Sequence, residues 1–188
     1  MSTLTINNHN LKHFDLRAKE IMNEYLTLIN VDVSDYTFAG NYIWLSTATG
    51  FYTIVNNTFC LFILNSGELS MLLPPIGKKE NTYDAMLQCF DIMNSHNSSR
   101  NYSKIEYVHE ELLEGFVDYL EEGTLVYEML KDFIIEKKLV DYIYKTDDLI
   151  ELKGDSYKSK RNEINKFKKI YPEHRIEIMD KEKHGQAV

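Results

Sequence analysis

Residues 51–73 read FYTIVNNTFCLFILNSGELSMLL and contain three apolar and β-branched runs separated by turn residues. Such residues fit a pleated, half-buried surface, so three strands are predicted, at 51–55, 58–64 and 69–73. The Asn56-Asn57 pair is a hairpin signal, because Asn tolerates the left-handed conformation that a two-residue turn requires. An antiparallel meander is therefore predicted at the centre of the fold.

Apolar residues at helical spacing lie on both sides of this meander. Before it, seven residues share one helical face and predict an amphipathic helix that packs on a sheet: Leu11, Phe14, Ala18, Ile21, Met22, Tyr25 and Ile29. A further strand is predicted at 42–46. After it, a second helix is predicted, with Asn81 or Thr82 as its cap and an apolar face made of Tyr83, Met86, Leu87, Phe90 and Met93.

The remaining elements alternate between short strands and helices. A third helix is predicted with the apolar residues Leu112, Leu113, Phe116, Tyr119 and Leu120 on one side and acidic residues on the other. Short strands are predicted at 104–108, 140–144 and 175–179, and a short helix at 147–152. This order predicts an α/β (α+β) fold with a mostly antiparallel central sheet flanked by helices.

Residues 153–169 concentrate positive charge in an acidic chain. Seven Lys or Arg stand there against two acids, a local balance of +5, whereas the whole chain has a net charge of -8. Gly154 breaks the chain before a helix that Asp155 or Ser156 could cap and that Pro172 ends. At about 100° per residue, one side of this helix is apolar and is expected to pack: Tyr157, Ile164, Phe167 and Tyr171.

The basic helix supplies the candidate site, because Lys and Arg with interleaved Asn suit phosphate oxygens and polar headgroups. The candidate residues are Lys158, Lys160, Arg161, Asn162, Asn165 and Lys169. A solvated amphipathic helix without a ligand accounts for the same pattern and stays the alternative. No catalytic residue can be singled out, since a general base cannot be ranked without geometry.

Three segments carry a family resemblance. The first runs from Asp141 through Leu152 and continues with Gly154, Tyr157, Lys160-Arg161-Asn162, Ile164-Asn165, Phe167-Lys168 and Tyr171-Pro172. The second is the aromatic segment from Phe38 to Trp44, and the third is Leu73-Pro74-Pro75-Ile76-Gly77. In order and spacing they resemble the phosphatidylglycerol lysyltransferase C-terminal domain family over nearly the whole chain.

The resemblance implies a tandem fold of two halves, each similar to the GNAT acyl-CoA N-acyltransferases and related to the Fem aminoacyltransferases. Those relatives transfer an aminoacyl group from charged tRNA to a lipid or a peptidoglycan precursor. The chain is accordingly expected to be the N-terminal GNAT-like half of an acyl or aminoacyl transferase, incomplete as a catalyst alone. The alternative is a non-catalytic binding or scaffold domain of a truncated family member. The implied donor is an aminoacyl-tRNA or an acyl-CoA, with no bound prosthetic group.

The resemblance also implies a domain layout. A GNAT-like N-terminal domain would occupy 1–152, a basic connector helix 153–172, and the start of a truncated second unit with a mobile tail 173–188. The strand at 175–179 would then lack partners within its own unit. Because an unpaired strand edge pairs with another chain or frays, a homodimer or a separate second-half partner is expected.

Several classes of function lack their usual sequence signals. The eight glycines form no phosphate-binding loop, including the one that acetyl-CoA-dependent GNAT enzymes use, and no serine lies in a nucleophile elbow. The six histidines show no metal-ligand spacing, so no metal is predicted, and Cys60 and Cys89 are predicted to be small buried side chains. No apolar run approaches the roughly 20 residues of a membrane span, and the N-terminus does not resemble a signal peptide. A cytoplasmic location is therefore expected.

Overall fold

The structure is a computed structural model that describes residues 3–31, 33–45, 48–113, 133–136, 140 and 142–178. The chain forms two compact units, Met1–Leu139 and Val140–Val188, which are considered separately below as unit 1 and unit 2. The domain boundaries expected at 152 and 172 remain predictions.

Unit 1 is built on one sheet with helices on both faces. Its strands are β1 (Thr3–Ile6), β2 (His9–His13), β3 (Thr49–Val55), β4 (Thr58–Asn65) and β5 (Glu68–Met71). Its helices are α1 (Ala18–Leu26), α2 (Phe38–Trp44) and α3 (Lys79–His96). The five strands pair antiparallel in sequence order. The predicted α+β class, with an antiparallel sheet flanked by helices, is confirmed, and the arrangement is consistent with a GNAT-like unit.

The meander β3–β4–β5 forms where the sequence predicts it. Asn56 and Asn57 have φ angles of 44° and 56°, which is the left-handed geometry of a two-residue hairpin turn. At the next turn Ser66 and Gly67 have φ angles of 53° and 87°. These local turn residues place β4 between its two neighbours.

The opening helix was predicted to include Leu11 and Phe14, and this prediction is wrong. A hairpin precedes the helix, with Asn7 and Asn8 at φ angles of 46° and 66° in its turn, and α1 begins only at Ala18. Leu11 lies in β2, whose Lys12 and His13 pair with β3. Pairing with the existing sheet edge thus outweighs the helical spacing of the apolar residues.

The strand predicted at 42–46 is wrong, because residues 42–44 belong to α2, which ends at Trp44, and Ser46 lies outside the described residues. Thr37 caps α2, because its Oγ1 accepts a hydrogen bond of 3.1 Å from the N–H of Gly40.

The caps predicted for α3 are also wrong. Lys78 is the N-cap residue, and Thr82 is buried within the helix, where its hydroxyl donates to the Lys78 carbonyl.

The short strands predicted after α3 do not form in the described residues. At 104–108 there is a single parallel bridge, between Met71 and Ile105. Residues 140, 142–144 and 175–178 are not in strands, and Met179 lies outside the described residues. Residues 110–113 are helical, as expected for the third helix, whose predicted residues Phe116, Tyr119 and Leu120 are not described.

The core of unit 1 has two parts, one on each face of the sheet. Cys60 and Phe62 of β4 point to the face that α3 covers, and Phe59 and Leu61 point to the face of α1 and α2. These alternating residues are almost fully buried, which explains why β4 reads as a continuous apolar run. The sheet is therefore the middle layer of three.

Unit 2 contains two helices in its described part, α4 (Thr146–Glu151) and α5 (Lys158–Ile170), with a 3-10 turn at Asp155–Tyr157 between them. Both predicted helices are thus confirmed, and α5 ends just before Pro172. The predicted cap of α5 is wrong, because Tyr157 is the N-cap residue and makes no side-chain capping bond, while Asp155 and Ser156 belong to the preceding turn.

Candidate functional site

The turn between α4 and α5 positions the basic helix within unit 2. Leu152 ends α4 in the left-handed conformation, with φ 48°, and its N–H donates to the Asp148 carbonyl at 2.8 Å. Gly154 follows with φ 87°, an angle that glycine adopts without a steric penalty. Two residues in left-handed conformations thus lie in the turn that joins the end of α4 to the start of α5.

Arg161 bridges this turn. Its guanidinium donates hydrogen bonds to the backbone carbonyls of Leu152 and Gly154, the second at 2.7 Å. The last carbonyls of a helix lack intrahelical partners and carry partial negative charge, so a cation there satisfies hydrogen bonds and stabilises the helix dipole. Of the six candidate residues, Arg161 is thus the one whose side chain binds backbone carbonyl groups. That Arg161 also contacts an anion stays a prediction.

Four of the other candidates lie together on the solvent side of α5. At 100° per residue, Lys158, Asn162, Asn165 and Lys169 fall within about 60° of one another, and Lys166 borders them. All five side chains are exposed. This set is called the basic face below.

No carboxylate among the described residues neutralises the basic face. Among the described residues, Lys158, Lys166, Lys168 and Lys169 form no ion pair, whereas Lys153 pairs with Glu151 at 2.7 Å and Lys160 pairs with Glu163 at 3.3 Å. The six cations and one acid of α5 give the helix a net charge of +5. The basic face therefore presents uncompensated charge and amide groups to solvent.

Lys160, the sixth candidate, does not belong to the basic face. It lies about 160° or more from Lys158, Asn162 and Lys169 around the helix, on the side of Phe167 and Tyr171. The site predicted from the sequence is thus divided between two sides of α5. Helical arithmetic alone could have separated Lys160 from the others.

The side of α5 that carries Lys160 was expected to pack, and for the described residues this expectation is wrong. Ile164, Phe167 and Tyr171 are 41%, 50% and 57% exposed. The ring contacts of Phe167 within unit 2 are with Tyr171, at 5.1 Å between centroids, and with His174, at 5.3 Å. No described residue of unit 2 is buried.

A second group with perturbed pKa values lies in unit 1 and was not anticipated from the sequence. The Tyr36 hydroxyl donates to the Tyr107 carbonyl at 3.1 Å, and the His109 ring meets the Tyr36 ring edge-on at 5.5 Å. Burial raises the pKa of Tyr36 well above its ordinary value, and burial lowers the pKa of His109 against the opposing effect of Glu111. No sequence signal links Tyr36 to a histidine 73 positions away.

The contacts of this second group are mainly structural. His109 Nδ1 accepts a hydrogen bond of 3.3 Å from the N–H of Leu112, as a cap does, which leaves the ring proton on Nε2 of the neutral imidazole. Tyr107 has φ 46°, which is rare for a bulky residue and strains the backbone where Tyr36 binds it. The group therefore anchors residues 107–112 to the segment before α2.

Among the described residues, the other side chains that could react or bind a metal are buried or do not form a cluster. Cys60 and Cys89 are both buried, as predicted, and burial together with the neighbouring Cys60 thiol raises the pKa of Cys89. Among the described residues, no group of three or more His, Cys, Asp or Glu could hold a metal ion. None of the described helices is long and apolar enough to cross a membrane.

The fold and the site define a mixed α+β protein whose second unit exposes a cationic helix. The chain belongs to the family described as phosphatidylglycerol lysyltransferase, C-terminal, whose model matches residues 26–185. This match confirms the resemblance seen in the three sequence segments and places the chain in a transferase domain family. It spans α2 to α5 and leaves the β1–β2 hairpin outside. Neither the curated proteins nor the solved structures include a match to this chain.

Proposed function

We propose that this chain serves acyl or aminoacyl transfer as the N-terminal GNAT-like half of a transferase, and that its basic face binds the phosphates of an aminoacyl-tRNA donor. Membership of the lysyltransferase family supports transfer chemistry. The observation that carries the binding role is the set of exposed lysines without ion pairs on the basic face.

The length of the basic face favours a polyanion over a small phosphate ligand. Lys158 and Lys169 are eleven residues apart, so at 1.5 Å per residue the face extends about 16 Å along the helix. A single pyrophosphate would contact only part of that length. Successive phosphates of a nucleic acid could engage all of it, with Asn162 and Asn165 donating hydrogen bonds between the lysines.

The charge distribution along α5 also favours a bound anion. Lys168 and Lys169 in the last turn stabilise the helix dipole. Lys158 and Lys160 in the first turn oppose it, at a cost of about 0.3–1 kcal/mol each in the absence of a ligand. A phosphate bound near Lys158 would offset that cost. Phosphate binding would therefore account for a cation at the start of α5, where helix stability alone does not favour one.

The test is fluorescence anisotropy with a labelled aminoacyl-tRNA at a series of salt concentrations. The full chain is compared with K158Q/K169Q, which removes two charges from the basic face, and with K153Q/K160Q, which removes two charges elsewhere in the same unit. Both variants change the net charge equally. K158Q/K169Q is expected to weaken binding and to reduce the slope of log K against log salt by about 1.4–1.8, the contribution of two phosphate contacts. K153Q/K160Q is expected to lose much less.

Equal losses in the two variants would contradict a defined basic face, because binding would then depend on net charge alone. Wild-type binding that does not change with salt would contradict phosphate recognition altogether. Replacing Arg161 is unsuitable for this test, since its contacts with Leu152 and Gly154 would be lost together with its charge.

A second candidate function is a non-catalytic binding or scaffold domain whose partner supplies the other half of the enzyme. The observation that favours it is the large number of exposed apolar side chains in the described part of unit 2: Val140, Tyr142, Ile143, Tyr144, Leu149, Ile150, Ile164, Phe167, Ile170, Tyr171, Ile176 and Ile178. Transfer of a radiolabelled aminoacyl group by the purified chain alone, to lipid or to a peptide acceptor, would contradict this second function.

A further inference from the structure

The two edge strands of the sheet in unit 1 differ in what lies beside them. At the β5 edge, the backbone N–H and carbonyl of Leu69 bind the side-chain amide of Asn97, at 2.6 Å and 2.8 Å. The Met71 N–H donates to the Lys104 carbonyl, and the Met71 carbonyl accepts from the N–H of Glu106, each at 2.9 Å. The outward backbone groups of Leu69 and Met71 are thus paired within the chain.

The β1 edge is open in the part of the chain that the structure describes. The turn at 7–8 has two residues, so Ile6, which precedes it, is hydrogen-bonded to β2. Because hydrogen-bonded pairs alternate along a hairpin, Leu4 is bonded to β2 as well, whereas the backbone N–H and carbonyl groups of Thr3 and Thr5 point away from it. No described strand pairs with that side, and no described residue donates to or accepts from those groups.

The sequence of β1 lacks the features that keep an open edge from pairing. Proteins commonly place a lysine, a proline or a bulge on an exposed edge strand. Residues 3–8 read TLTINN and contain no charged residue and no proline. All four residues of β1 pair with β2 in continuous register, without a bulge. The β1 edge is therefore an unprotected template for a further strand.

The strand that fits this edge is β1 of a second copy, because Thr3-Leu4-Thr5 reads the same in both directions. Antiparallel pairing about a two-fold axis at Leu4 places Thr3 of one copy opposite Thr5 of the other, and each such pair exchanges two backbone hydrogen bonds. Threonines opposite each other are a favourable cross-strand pair. Leu4 is only partly buried in one copy and would meet Leu4 of the other on the side that α3 covers.

We propose that unit 1 associates with a second copy of the chain through β1, which joins the two five-stranded sheets into one. The strand contact is small compared with a standard protein interface, so the dimer is expected to be weak. β1 lies outside residues 26–185, which the family model matches, so family membership does not imply this contact. It also differs from the contact expected at 175–179, since the described residues 175–178 form no strand.

The test is analytical ultracentrifugation of the full chain from about 1 μM to 1 mM, the range of weak dissociation constants. Thr5→Pro removes an outward N–H and leaves the hydrogen bonds between β1 and β2 in place. It is expected to weaken dimerisation by about tenfold or more, since each copy loses one donor. Thr5→Val is the matched control, because it loses the same hydroxyl contact with Asn10 but keeps the N–H. The dimer should persist in Thr5→Val.

A cross-linking readout keeps the proposal testable if Thr5→Pro disturbs the hairpin. Leu4→Cys places two thiols opposite each other at the two-fold axis, with Cα atoms about 4.5 Å apart, within the range of a disulfide. Thr3→Cys is the control, because the two copies of position 3 are diagonal neighbours about 7–8 Å apart, beyond that range. The native Cys60 and Cys89 are buried. Mild oxidation with diamide is therefore expected to give a covalent dimer of Leu4→Cys and not of Thr3→Cys.

Three outcomes would overturn the proposal. The first is a monomer at every concentration, and the second is a dimer that Thr5→Pro leaves as strong as in the parent chain. The third is a covalent dimer that forms through position 3 and not through position 4. The tRNA titration with K158Q/K169Q concerns unit 2 and does not depend on β1, so a failure of dimerisation is distinguishable from a failure of the donor role.

Discussion

Helices α3 and α5 show the same sequence pattern and opposite burial. Each has apolar residues at helical spacing along one side. In α3 seven residues are buried, and Cys89, Ile92 and Met93 pack against the sheet. In α5 no residue is buried, and Phe167 remains half exposed. An apolar stripe thus predicts that a helix has something to pack against, but not that the described residues of its own unit supply it.

The difference follows from the charge that accompanies each stripe. The polar residues of α3 are of mixed type, and its buried side meets β4 and β5, which are apolar on the facing side. The helix α5 carries six cations and one acid, with Lys160 inside its apolar side. Burying that side in a protein core would remove Lys160 and its exposed ion pair with Glu163 from water, which is costly. The charge pattern therefore separates a core helix from the helix for which we propose a binding role.

The largest expected effect is on the free energy of unfolding, when a Phe→Ala substitution in the core of unit 1 is compared with one on α5. Phe62→Ala removes a fully buried ring that faces α3 and is expected to lower the free energy of unfolding by about 3–5 kcal/mol. Phe167→Ala is expected to change it by about 0.5 kcal/mol or less, since the ring is half exposed and Ala favours a helix. Urea unfolding followed by circular dichroism and by the Trp44 fluorescence measures both. A loss of several kcal/mol for Phe167→Ala would show that α5 belongs to a core.

An intermediate effect is expected at the C-terminus of α3, where Asn97 takes the place of a neighbouring strand. Its amide accepts from the N–H of Leu69 at 2.6 Å and donates to the Leu69 carbonyl at 2.8 Å. Asn97→Ala leaves both backbone groups without these partners and is expected to cost about 1–3 kcal/mol in urea unfolding. Asn97→Asp keeps the acceptor for the Leu69 N–H but turns a carboxylate oxygen towards the Leu69 carbonyl, so it is expected to be destabilising as well. An Asn97→Ala variant as stable as the parent would contradict this role.

The smallest effect is expected within unit 2. Arg161→Ala removes the contacts with the Leu152 and Gly154 carbonyls and is expected to destabilise the α4–α5 turn by about 1 kcal/mol, without changing the stability of unit 1. Amide hydrogen exchange of residues 148–158 should then be faster. Lys160→Ala removes an equal charge that makes only an exposed ion pair, so it is the control and should have little effect. Equal effects of the two variants would mean that charge, not the hydrogen bonds, holds the turn.

The parts of the fold with local signals could be predicted from the sequence. The turn residues Asn56, Asn57 and Gly67 defined the meander, and the spacing of Tyr83 to Met93 defined α3. The β1–β2 hairpin was missed because Leu11 and Phe14 happen to follow a helical spacing, although Asn7-Asn8 is the same turn signal as Asn56-Asn57. The helix α2 was missed because its aromatic residues favour a strand, whereas Thr37 supplies a helix cap.

The candidate site was predictable as far as helix geometry reaches. The spacing of Lys158, Asn162, Asn165 and Lys169 was sufficient to place them on one face. The contact of Arg161 with Leu152 depends on two residues in left-handed conformations, and its geometry becomes known only with the structure. The meeting of Tyr36 and His109 depends on tertiary packing, which periodicity does not encode.

The most direct test of α5 as a binding helix is amide hydrogen exchange of the full chain with and without aminoacyl-tRNA. In the free chain, amides of α3 are expected to be protected and those of α5 to exchange quickly, since α5 has no buried residue. With tRNA, protection is expected to rise across 158–170 in the parent chain and in K153Q/K160Q, and not in K158Q/K169Q. Strong protection of α5 in the free chain, or no change on adding tRNA, would contradict the account.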